Sequence, residues 1–218
     1  MPVAKKLPKG LFIAVEGGEG SGKDTQIEYL VPYLESLGFV IVQTFEPGAM
    51  EPDIRTSLLR HKTDPTEQVR LFSGERKRHV AELIRPALEA GKVVVCNRFK
   101  DSMTAYQGYG YGVSLEELEV VNHETCGDTV PDLVLYLDVE PRIGLLRVKR
   151  RGEVMTTFEA EKIAFHQSVQ TGFLALALRN ADRWRIVDAD RPIDEVWAQV
   201  KAHLDLYLIS HNLVTKQR

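Results

Sequence analysis

Residues 17 to 25 read Gly17-Gly18-Glu19-Gly20-Ser21-Gly22-Lys23-Asp24-Thr25, and no other run in the chain speaks so directly about chemistry. The spacing is that of a phosphate-binding loop, G-x-x-x-x-G-K-[S/T], with one altered letter. Glycines let the backbone curl so that successive N–H groups point at phosphate oxygens, and a following helix adds its positive N-terminal end. Lys23 would neutralise charge on the β- and γ-phosphates. The altered letter is Asp24, which stands where a Mg²⁺-binding hydroxyl is expected. A carboxylate is still a hard oxygen ligand suited to Mg²⁺, but it brings a negative charge beside the triphosphate. The run implies a site for ATP and Mg²⁺.

Such a loop needs a strand before it and a helix after it. Both are present: Leu11-Phe12-Ile13-Ala14-Val15 precedes it, and a helical pattern opens near Gln26. Further strand candidates are 39–44, 92–96, 132–138 and 184–187, several of them apolar on both faces as buried parallel strands are. Helical patterns cover about 23–36, 53–60, 66–89, 114–125, 141–150, 158–178 and 192–208. Pro32 should bend or shorten the first of them. Alternation of short strands with longer helices predicts an α/β fold, three layers with a parallel five-stranded sheet between helices. One domain is expected over 1–218, with its core at about 10–208 and polar tails at 1–9 and 210–218. Ligands of open α/β sheets lie at the carboxyl ends of the strands. The residues to watch are therefore the loop, Glu46-Pro47-Gly48, Asn97-Arg98-Phe99, Asp138 and Asp188.

Composition narrows the functional classes. With 44% apolar and 27% charged residues, the 218-residue chain has the balance of a soluble globular protein. A net charge of −3 gives no general attraction to nucleic acid or anionic membrane, so neither is expected as a partner. Cys96 and Cys126 form no metal or redox spacing, and the six histidines are scattered. The start, Met1 to Pro8, has no apolar core of a signal peptide, so a cytoplasmic location is expected.

Five elements in order resemble the thymidylate kinases, which transfer the ATP γ-phosphoryl group to dTMP. They are Glu16 to Lys23; Glu46-Pro47-Gly48; Leu71-Phe72 through Arg76 and His79-Val80; Arg98 through Ala105-Tyr106-Gln107-Gly108; and Pro131-Asp132-Leu133 through Leu137-Asp138-Val139. The resemblance spans roughly 10–205 and implies the P-loop kinase fold, a small-molecule nucleotide acceptor and a homodimer. It implies that Lys23 and the loop amides hold ATP, and that Glu19 approaches the sugar 3′-hydroxyl. Phe72 would stack on thymine, Arg76 would bond the base or the acceptor phosphate, and Arg98 would grip that phosphate. Tyr106, followed by Gln107, would crowd the sugar C2′. Arg55 would add a further cation in the helix after Glu46 and Pro47. Arg147 to Glu153 matches a short basic lid (about 147–158), from which Arg147 and Arg151 would serve the transferring phosphoryl group.

Plainer readings exist for several of these residues. Phe72 could be core, Tyr106 ordinary packing, and 147–151 a solvated helix end whose cations suit the negative dipole there. Gly108 to Gly112 contains G-x-G-x-G but follows no strand, and reads as a flexible loop. The chain also departs from the resembled pattern. Asn97 stands for the usual Asp, Phe45 for an Arg, and Met103 for a polar residue at the pyrimidine edge. The lid lacks the usual Asp-Arg pair after Val154-Met155. Asp24 gains a carboxylate and Asn97 loses one, which predicts an exchange across one site with a hydrogen bond between the two side chains. The alternatives to a dTMP kinase are a related kinase of other or broader deoxynucleotide specificity, and a binding module without transfer.

Overall fold

The computed structural model describes residues 7–152 and 154–214. Strand β1 (Leu11–Gly17) is buried along its whole length and runs between β3 (Val93–Asn97) and β4 (Leu133–Asp138). Strand β2 (Ile41–Phe45) pairs with the outer side of β3, and β5 (Trp184–Asp188) with that of β4. All pairings are parallel, in the order β2-β3-β1-β4-β5. Parallel strands need crossovers, and helices supply them: α1 (Lys23–Ser36), α2 (Pro52–Arg60), α3 (Pro65–His79), α4 (Arg85–Glu89), α5 (Lys100–Met103), α6 (Leu115–Cys126), α7 (Pro141–Arg150), α8 (Ile163–Arg179) and α9 (Ile193–Ser210).

The period-2 alternation of side chains sends β1 residues to two cores. Phe12 and Ala14 join Val94, Cys96 and Tyr136 beneath Val69 of α3, Leu118 of α6 and Phe173 of α8. Ile13 and Val15 join Val95 and Leu135 beneath Ile27 and Leu30 of α1 and Leu204 of α9. Each such aliphatic side chain contributes about 1.5–3 kcal/mol on burial, so both layers hold the sheet firmly. The result is the expected three-layer α/β/α arrangement.

Four local expectations need correction. Helix α1 runs unbroken through Pro32, because Pro32 lies on the exposed face, where water takes the carbonyl its missing N–H leaves free. Of the segment expected as a flexible loop, Gly108 to Gly112, the first three residues belong to a π-helical turn, Thr104–Gly110, continuous with α5, and Tyr111 and Gly112 lie beyond it. Its glycines serve close packing: a Cβ on Gly110 would run into the Phe165 ring of α8. Helix α8 begins at Ile163 rather than 158, and Thr156 and Glu159 close a separate turn ahead of it. The Thr156 amide donates to Glu159 Oε2 (2.7 Å), and the Glu159 amide donates to Thr156 Oγ1 (3.2 Å). The described ends are not loose polar tails either, for Leu7 is buried and its amide donates to the Gly91 carbonyl. Residues 1–6, 215–218 and Glu153 of the expected lid lie outside the described residues.

Candidate active site

A cleft of about 1130 Å³ opens at the carboxyl ends of the strands. Its floor is the loop from Glu19 through Gly20, Ser21, Gly22, Lys23 and Asp24 to Thr25, while Gly17 and Gly18 stand behind it, their carbonyls accepting from Lys23. Gly22 takes φ +89° and offers no capping side chain, so the first-turn amides of α1 are left for an anion. The Lys23 ammonium donates to the carbonyls of Gly17 (3.1 Å) and Gly18 (2.9 Å) and to Ser21 Oγ (3.3 Å). Burial, then the neighbouring Arg98 charge, pushes its pKa down to about 7. A bound polyanion would reverse that, because opposite charge favours the ammonium form.

Arg98 follows β3 with φ +68°, a left-handed backbone that side chains other than glycine rarely adopt. That turn aims its guanidinium back across the loop. Nη1 donates to the Gly17 carbonyl (3.0 Å) and Ser102 Oγ (3.3 Å), and Nη2 to Glu19 Oε1 (3.0 Å) and the Tyr106 hydroxyl (3.1 Å). Tyr106 in turn donates to the same Glu19 oxygen at 2.7 Å. Burial works against the Arg98 charge, yet Tyr106, Glu19 and Glu16 hold its pKa above the ordinary value. Burial also opposes the Glu19 charge, but Arg98 and Lys23 outweigh it and lower that pKa.

The remaining residues singled out in the sequence converge on the same cleft. Phe72 is both buried and cleft-lining, its ring centroid 6.5 Å from that of Phe158. Arg76 is fixed from behind: Nε donates to Glu46 Oε2 (2.7 Å), and Nη1 to Asn122 Oδ1 (3.2 Å) and to the Met103 sulfur (3.7 Å). Gln107 donates to Gln68 Oε1 (2.8 Å) and so is held in the wall. Arg55 donates to the Pro47 carbonyl (2.9 Å) and lies 5.1 Å over the Phe45 ring, so Phe45 packs a cation in the place where another cation was expected. Asp138 and Asp188, also at strand ends, do not line the cleft; their oxygens serve Tyr136, Gln170 and Arg191.

The two lid arginines differ. Arg147 is docked at the donor end, Nη1 donating to the Ala189 carbonyl at 2.9 Å. Arg151 is half exposed and pairs only with Glu159, at 3.0 Å, among the described residues. Opposite them, Asn97 Nδ2 donates to Asp24 Oδ1 at 2.6 Å, the side-chain bond expected for the exchange.

Several lining or supporting residues were not anticipated. Phe158, Asn122 and Gln68 reach the site from segments far apart in the chain, with no local pattern to mark them. His79 is fully buried between Thr44 Oγ1 (2.7 Å) and Glu46 Oε1 (3.0 Å), and its place in the third ordered motif was the available signal. Gly144 of α7 meets the loop so closely that a Cβ there would collide with the Glu19 carbonyl oxygen.

Known proteins with this arrangement carry one description. A family model of thymidylate kinases matches residues 15–200. The thymidylate kinase of Pelotomaculum thermopropionicum is 43% identical over 203 residues, covering 91% of each chain. That of Gloeobacter violaceus is 41% identical, covering 91% of this chain and 96% of the relative. The crystal structure of thymidylate kinase from Ehrlichia chaffeensis superposes with a TM-score of 0.75 at 30% identity, covering 91% of this chain and 99% of that one. Together with the loop, the Arg98 fork and the cleft between them, these matches show that the chain belongs to the thymidylate kinase family.

Proposed function

We propose that the chain transfers the γ-phosphoryl group of ATP to dTMP, giving dTDP and ADP. The observation that carries this reading is the Arg98 fork, held beside the phosphate loop within the cleft that Phe72 lines. Two anion-binding elements that close together suit a donor phosphate and an acceptor phosphate brought in line. Lys23 and the free amides of α1 take the donor. Arg98 releases Glu19 and Tyr106 in part and closes on the acceptor phosphate, for which its planar fork is suited. Phe72 offers its face to the thymine, Arg76 its fixed guanidinium to the base edge, and Tyr106 its ring to the sugar, with Glu19 near the 3′-hydroxyl. Glu46, Pro47, Met103 and Gln107 shape the walls, and Arg55 adds positive charge.

Phosphoryl transfer asks a protein mainly for positioning and for neutralising spread negative charge. Arg151 is the more exposed of the two lid arginines and has its ion pair with Glu159 to exchange, so it serves the transferring group, while Arg147 stays docked at the donor end. Among the described residues no cluster of three metal-ligating side chains exists, so Mg²⁺ would be shared between phosphate oxygens and the Asp24 carboxylate. Bound there, it supplies charge neutralisation. In this reading the whole chain is one kinase domain, cytoplasmic and homodimeric, and sedimentation should return a solution mass of twice 24.6 kDa, where a mass of 24.6 kDa would overturn the dimer.

Steady-state kinetics with dTMP varied at saturating MgATP test the central role. Arg98→Lys keeps the charge and loses the fork, so kcat/KM for dTMP should fall by about 100-fold while ATP affinity is retained. An unchanged kcat/KM would remove Arg98 from the acceptor site.

A further inference from the structure

The geometry points to Asp24 and Asn97 as one interlocked unit that moves the metal-site carboxylate from the strand end onto the loop, so that nucleotide affinity is coupled to the metal through Asp24. This rests on the reading of the cleft as an ATP site. In the general P-loop plan the loop contributes a hydroxyl to Mg²⁺ and a neighbouring strand end contributes an aspartate. Here the loop position is Asp24, and Asn97 ends β3, the direct neighbour of β1 with Val15 opposite Asn97 in the register. The 2.6 Å bond from Asn97 Nδ2 to Asp24 Oδ1 joins the two.

The two substitutions make chemical sense only as a pair. Asn97 donates to one oxygen of Asp24, which settles the side chain and leaves the other oxygen for a ligand. Asp24 is exposed and makes no direct ion pair with any described residue, although its charge favours the charged forms of Lys23 and Arg55 nearby. An aspartate at 97 would set two carboxylates within hydrogen-bond distance, and one would have to hold a proton. A threonine at 24 with Asn97 kept would leave the unit without a carboxylate. The cations around it are otherwise engaged: Lys23 with loop carbonyls, Arg55 with Pro47, Arg98 with Glu19. A free carboxylate on the loop opposes bare triphosphate by like charge. With a divalent cation present, the same carboxylate becomes attractive. Metal and nucleotide should therefore bind with strong positive coupling, which is reciprocal by linkage.

Calorimetric titration of a non-hydrolysable ATP analogue, with Mg²⁺ and with EDTA, reads this without turnover. The ratio of the two dissociation constants should be about tenfold or more in the native chain. Asp24→Asn keeps the shape and removes the charge, and Asp24→Thr restores the general loop; both should collapse the ratio. The exchange Asp24→Thr with Asn97→Asp should bring back much of it, where independent effects would simply multiply. A ratio unchanged by Asp24→Asn, or a double variant no better than the product of the singles, overturns the inference. If the native chain binds the analogue in neither condition, the ATP reading itself falls and takes this inference with it.

Discussion

Glu16, the last acidic residue before the loop, shows how a single buried group ties site geometry to stability. It is fully buried at the end of β1, where Oε1 accepts from the Phe99 amide (2.8 Å) and Oε2 from Ser102 Oγ (2.6 Å). Those bonds brace the turn that carries Arg98. Burial, reinforced by Asp101, raises its pKa from 4.5 to about 7. The folded state therefore holds this proton more tightly than the unfolded chain does. Its stabilising contribution is complete below the unfolded pKa and is lost as pH rises through the folded one, at up to about 1.4 kcal/mol per pH unit. Glu16→Gln stays neutral throughout, so its urea-unfolding free energy should fall less between pH 5 and pH 7 than that of the native chain. An equal fall in both would show that Glu16 does not titrate in that window. Glu16 was legible in the sequence only as part of the motif leading into the loop; its proton and its bracing role come from burial, which no local pattern records. Asp24 was legible as the altered letter of the loop pattern, and Asn97 as a departure from the resembled family, which together marked them as an odd pair.

At the level of elements, the loop is held from the side as well as from below. Gly20 and Gly144 let α7 and the phosphate loop touch backbone to backbone, Gly20 at φ +67°. Gly144→Ala would press a methyl group onto the Glu19 carbonyl and push the loop out of register. Overpacking of this kind costs about 1–3 kcal/mol, so the dissociation constant for MgATP should rise about tenfold, measured by calorimetry, with dTMP affinity nearly unchanged. No change in the MgATP constant would mean that α7 yields instead of the loop. Strands and long helices were readable from periodicity, because burial on two faces leaves a plain apolar mark. A lone glycine within a helix leaves none, since it reads as weak helix until its neighbour is known. Gly108 and Gly110 misled for the same reason: they admit side chains of α6 and α8, and do not loosen the chain. Likewise the turn that Thr156 and Glu159 close ahead of α8 is hidden by the apolar pattern alone.

The whole molecule sets a cationic cleft in an acidic protein. Net charge is −3, yet Lys23, Arg55, Arg98, Arg147 and Arg151 all line one opening. Carboxylates such as Glu19, Asp24 and Glu46 also line it, but the cations outnumber them, and a net positive cleft concentrates anionic ligands without attracting polyanions to the surface at large. No helix among the described residues is long and apolar enough to cross a membrane. The parallel order β2-β3-β1-β4-β5 brings the loop after β1, Arg98 after β3 and Glu46 after β2 to the same edge. The fold and the meeting of these motifs in one cleft were legible for that reason, since motifs at strand ends must meet there. The contact of Arg76 with Met103 and Asn122 was less so, because the three come together from three helices and Asn122 stands in no motif. The measurement that bears most directly on the whole account is release of ADP from MgATP in separate reactions with dTMP, dUMP, dCMP, dAMP and dGMP. The account predicts the highest kcat/KM with dTMP and little turnover with the purine nucleotides. No ADP release above background with dTMP, from protein that still binds MgATP, would contradict it.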